Sequence, residues 1–152
     1  MVGRMNTPAL TRVLVVTDRT AATPALLDTI RGRAARGPVE FRILVPNPAA
    51  AEWHPTHPER HDKVTEAKVV LAEALPLVEE AAGHAVEGTV SIRHDPMDAI
   101  EEALHDEPFD EIILATAPHG VERWLHIDLP HRVAHLGLPV TTVTDEQATP
   151  TR

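Results

Sequence analysis

The chain has 152 residues, a formal net charge of -9 and no cysteine, which fits one domain with its own core and excludes disulfides, thiolate metal sites and cysteine nucleophiles. Hydrophobic residues at 43% and charged residues at 24% give an ordinary globular balance, and aromatics at 3% leave aliphatic side chains to build the core. No basic block offsets the negative charge, which argues against nucleic-acid and membrane-surface binding. No segment approaches the roughly 20 apolar residues of a membrane span, and the start MVGRMNTPAL lacks a signal-peptide run, so the expected setting is a soluble cytoplasmic one.

RVLVVT, Arg12 to Thr17, is a β-branched run closed by the turn-prone Asp18 and reads as a buried strand. In TPALLDTIRGRAARGP, Thr23 is placed as an N-cap, Pro24 as the first helical residue and Gly37–Pro38 as the stop, with Leu26, Leu27, Ile30 and Ala34 on one face. VEFRILV, Val39 to Val45, is the second strand. The aperiodic Pro- and His-rich stretch from Pro46 to Asp62 is expected to be a long ordered loop. A helical pattern then runs from Val64 to about Ala82 through Ala67, Val70, Leu71, Ala74, Leu77, Val78 and Ala81, with a kink or break expected at Pro76.

EGTVSIR, Glu87 to Arg93, is the third strand, with Val90 and Ile92 inward. DPMDAIEEALHDE opens with Asp95 as N-cap and Pro96 in the first turn, and Met97, Ile100, Ala103 and Leu104 form its apolar stripe. DEIILAT is almost wholly apolar and is expected to be central in the sheet. LPHRVAHLG is a short helix closed by Gly137, and LPVTTVT is the last strand, a candidate sheet edge. Strands and helices in alternation predict an α/β fold, an open, mostly parallel five-stranded sheet with helices on both faces. In such sheets ligands bind beyond the carboxyl ends of the strands at the switch in strand order.

RVLVVTDRT, VEFRILVPNP, IRHDPMDAIEEAL, DEIILATAPHG and LPHRVAHLGLPVTTV follow, in order and spacing, the five-strand plan of the universal stress protein family, and the chain resembles that family from Arg12 to Thr144. The resemblance implies a Rossmann-like fold of the adenine nucleotide alpha hydrolase type and a homodimer joined through the last strand, Pro139 to Thr144. It also implies a site for ATP or another adenine nucleotide, with Asp18 at the end of the first strand and main-chain groups around Val45. The family's phosphate loop, Gly-x2-Gly-x9-Gly-Ser/Thr, would fall after the fourth strand. Every glycine of that pattern is replaced here. Ala115 stands at the first, Pro118 near the second, and Ile127 and Asp128 at the final pair, while Gly120 and Arg123 keep their places in the loop.

Phosphate loops need bare backbone and inward N–H groups, and Pro118 has no N–H. Asp128, one or two residues before the short helix, has the position of an N-cap, so its carboxylate would occupy the positive helix end that a phosphate would use. The leading reading is therefore a non-enzymatic regulatory or stress-response domain that binds nucleotide weakly or not at all. An alternative is binding of a nucleotide or small anion through Asp18, Val45, Thr116, His119, Gly120, Arg123 and Asp128, with His126, His131 and Arg132 adding cationic character nearby. A second alternative is a metal site from His54, His57 and His61 in the long loop, although His54 and His57 each precede a proline that holds them extended. Trp53 and Trp124 either stack on a flat ligand or plug the loops onto the sheet. For catalysis there is little: Ser91 is the one serine, with no nucleophile motif around it, Asp95 is accounted for as a cap, and His94 next to Asp95 lies at the strand's carboxyl end.

Overall fold

A computed structural model describes residues 10–17, 23–46, 59–91, 96–116 and 129–144, the side chains of residues 59–67, 116 and 144 excepted. In chain order the elements are β1 (Thr11–Thr17), α1 (Pro24–Ala34), β2 (Val39–Val45), α2 (Glu59–Ala82), β3 (Glu87–Val90), α3 (Pro96–Asp106), β4 (Glu111–Thr116), α4 (Leu129–Ala134) and β5 (Val140–Thr144). The five strands form one sheet in the order β3-β2-β1-β4-β5, and every neighbouring pair is parallel. The expected α/β class and alternation hold. β4 is interior, as its apolar run required, and β1 takes the centre.

Strand alternation divides the core into two layers. Val13, Val15, Phe41, Ile43, Val45, Ile113 and Ala115 pack under α1 and α2 with Leu26, Ile30, Leu71 and Val78. Leu14, Val16, Leu44, Ile112 and Leu114 pack under α3 and α4 with Met97, Ile100, Leu129 and Val133. From Val13 to Thr17, β1 is buried without interruption because helices cover both of its faces.

Local signals account for most boundaries. Thr23 caps α1 in extended conformation, its Oγ1 accepting from the Leu26 N–H at 3.2 Å, and Pro24 follows as the first helical residue. Past α4, the Gly137 N–H donates to the Ala134 carbonyl at 3.3 Å, and φ of +88° at Gly137 turns the chain into β5.

Four expectations need correction. Glu59 to Asp62, read as loop, belong to α2; these four residues include no proline or glycine, and an acidic residue favours a helix start. α2 also runs through Pro76 without a break. Pro76 lies on the exposed side, and buried Leu71, Ala74, Val78 and Ala81 anchor the helix on both sides of it, so packing outweighs one missing hydrogen bond. Leu77 is 48% exposed rather than inward, and Leu75 is partly buried against the core instead. Finally, β3 ends at Val90 rather than Arg93; Val90 packs against the α1–α2 core as expected, while Ile92 and Arg93 lie outside the described residues. Among the described residues no helix is long and apolar enough to cross a membrane.

Candidate functional site

The chain leaves β1 towards β2 and later returns beside β1 as β4, so the order of strands switches between β1 and β4. Ligands of open α/β sheets bind at the carboxyl end of such a switch. Here Thr17 is paired in register with Ala115, followed by Thr116 at the end of β4. One strand away, Val45 ends β2.

Thr17 is fully buried, and Ala115 is 2% exposed with its methyl group in the α1–α2 core. The side chain at the position of the family loop's first glycine is thus taken up by hydrophobic packing. Val45 is equally buried, which leaves only its main chain to face a ligand. Its carbonyl already accepts from the Ser91 N–H at 2.8 Å, a bond that ties the end of β2 to the residue following β3. Pro46, also buried, comes next and has no N–H to offer. The main chain at the end of β2 is therefore poor in donors. α4, on the far side of the switch, begins with fully buried Leu129 and continues with Pro130, a second position without an N–H.

Of the residues singled out in the sequence, Val45 and Thr116 lie at this carboxyl edge, Thr116 in strand conformation. Asp18, His119, Gly120, Arg123, Asp128, His54 and His57 lie outside the described residues, as do Trp53, Trp124, His94, Asp95 and His126. His61 is in the first turn of α2, with its side chain outside the description. His131 is exposed and Arg132 half-buried on α4.

Sequence reading missed a second concave surface. A groove of about 260 Å³ runs between β2, β3 and α3, lined by Arg42, Leu44, Thr89, Ser91, Glu102, Asp106 and Glu107 among others. Arg42, like Glu40, could have been singled out as a charged residue of β2 that alternation turns towards the α3 face. Its guanidinium lies 2.9 Å from Glu87 and 3.0 Å from Glu107, and Nη2 donates to the Thr89 hydroxyl at 3.4 Å. Arg12 in turn lies 3.8 Å from Glu107 and 3.4 Å from Glu40. The two cations are thus shared among acids, and Glu102 and Asp106 add further negative charge to the groove. A nucleotide phosphate would meet net repulsion there.

No family model and no curated protein sequence matches the chain. Solved structures do match. The universal stress protein from Archaeoglobus fulgidus in complex with dAMP has a TM-score of 0.55 at 16% identity, covering 88% of this chain and 97% of its own. A second structure of universal stress protein from Archaeoglobus fulgidus has a TM-score of 0.54 at 14% identity, covering 94% and 99%. The chain has the universal stress protein fold.

Proposed function

We propose that the protein is a non-enzymatic, stress-protein-like regulatory domain whose adenine-nucleotide site at the β1–β4 carboxyl edge has lost most of its affinity. The observation that carries this reading is buried Pro46 directly after Val45, which leaves no main-chain N–H at the position following β2 to read a base. Residues 115–128, with one glycine and a proline, point the same way. The dAMP complex of the Archaeoglobus fulgidus protein makes an adenine nucleotide the ligand to test.

A regulatory domain of this kind works through its assembly, and β5 is the edge that a second copy would use. Its described side chains are Val140 and Val143, half-buried, and Thr141 and Thr142, exposed, with β4 on one side only. Such an edge offers unpaired main-chain groups to another strand.

Thermal unfolding with ATP, ADP and AMP tests the nucleotide reading. A site with a dissociation constant near 10 µM would gain roughly 2.7 kcal/mol at about 1 mM nucleotide. No shift of that size is expected, and one would overturn the proposal.

A further inference from the structure

We propose that His131, on the outer face of α4, and His135, in the turn that follows it, chelate a divalent transition metal of the copper–nickel class. Leu129 and Val133 are fully buried and fix the inward face of this helix. His131 and His135, four residues apart, are both exposed, and the turn after Ala134 leaves their rings in contact. Their Nε2 atoms are 2.9 Å apart, with ring centroids 4.5 Å apart and planes at 82°.

That separation is the length of an Nε2–H···Nε2 hydrogen bond, and it is also one that two imidazoles on a shared ion can adopt. At metal–nitrogen distances of about 2.0–2.1 Å, two ligands at a right angle stand about 2.9 Å apart, whereas tetrahedral ligands stand about 3.3 Å apart. The pair can supply adjacent corners of a tetragonal or square-planar site, the geometry of Cu²⁺ and Ni²⁺, for which imidazole is a suitable ligand. Without metal, one Nε2–H donates to the other Nε2. On binding, the donor ring's proton moves through water to its own Nδ1, and both Nε2 lone pairs turn to the ion.

The backbone holds both ligands in place. After Ala134 the chain tightens, with His135 N–H donating to the Arg132 carbonyl at 3.2 Å and Leu136 N–H to the Val133 carbonyl at 3.0 Å. Leu136 and Leu138 pack against the α3–α4 core on the far side of His135. Among the described residues the site consists of these two imidazoles, with no group of three or more metal-ligating side chains. The chain's net charge of -9 favours a cation at long range.

The test is calorimetric titration of the whole chain with CuCl₂ and NiCl₂ in chelator-free buffer, with Cu²⁺ spin resonance as the second readout. One ion per chain with hyperfine coupling to two imidazole nitrogens is expected. His131→Ala and His135→Ala should each weaken binding by at least the roughly 10–100-fold that loss of a mere supporting partner costs. A chain carrying His54→Ala, His57→Ala and His61→Ala together should bind as before. In the unmodified chain, trace Cu²⁺ should broaden the His131 and His135 ring resonances before those of other histidines, a readout that needs no variant to fold. Unchanged affinity in either single variant, loss of binding in the triple variant, or prior broadening elsewhere overturns the proposal.

Discussion

Arg33, in the last turn of α1, forms two parallel hydrogen bonds with Glu111 at the start of β4, Nε to Oε1 at 3.1 Å and Nη2 to Oε2 at 2.7 Å. The side chains are 14% and 30% exposed, so solvent screens the pair only in part. Glu111→Gln should lower stability by about 1 kcal/mol, read by urea unfolding. The hydrogen bond to Glu111 raises the Arg33 guanidinium above its ordinary value. A raised basic group contributes its full stabilisation at every pH below its ordinary value and loses it only as pH climbs through the raised one. Titration of Arg33 should therefore add no slope to stability anywhere between neutral pH and pH about 10.

Thr23 is the side-chain cap of α1, and Thr23→Ala should cost about 1 kcal/mol while Thr23→Ser costs much less. Chemical unfolding of the two variants side by side distinguishes a lost cap from a lost methyl contact.

Gly88 lies on the face of β3 that meets α2, where an added Cβ would stand 3.0 Å from both Leu71 methyl groups. Alanine is favoured over glycine in a strand by roughly 0.5–1 kcal/mol, but Leu71 is 6% exposed and packed into the core, with little room to retreat. Overpacking costs about 1–3 kcal/mol and should win. Gly88→Ala is expected to destabilise the chain, and Leu71→Ala in the same chain should make the glycine replacement neutral or favourable. Additive effects in this double-mutant cycle would contradict the contact.

The Ile112 N–H donates to the Pro139 carbonyl at 2.9 Å, and alternation along a parallel ladder then turns the Val140 and Thr142 amides away from β4. Thr142→Pro would remove an outward donor without breaking the β4–β5 ladder. Sedimentation should give a dimer for the natural chain and a monomer for this variant. A natural chain that sediments as a monomer contradicts the edge-pairing proposal.

The fold was legible because its signals were redundant. β2 was bounded by turn residues and by a run of apolar side chains, α1 by Thr23, Pro24 and Gly37, and the parallel order followed from strict alternation of strand and helix. Pro76 does not end α2 because intrinsic propensity is local, whereas Leu71 and Val78 hold the helix from either side of it. The site was less legible. Val45 could be assigned to the carboxyl edge from its place in the sequence, but the bond from Ser91 depends on register between β2 and β3, which no local pattern specifies. The His131–His135 contact was visible only as a four-residue spacing; whether two such rings meet depends on which helix face is buried, and Leu129 and Val133 decide that.

Isothermal titration of the intact chain with ATP and AMP, each with and without magnesium, bears most directly on the loss of the nucleotide site. Heats indistinguishable from dilution up to millimolar ligand are the expected result and would agree with a carboxyl edge where Pro46 leaves no main-chain donor after β2. Saturable binding of one nucleotide per chain with a micromolar dissociation constant would contradict it, showing that a loop without its glycines still holds phosphates.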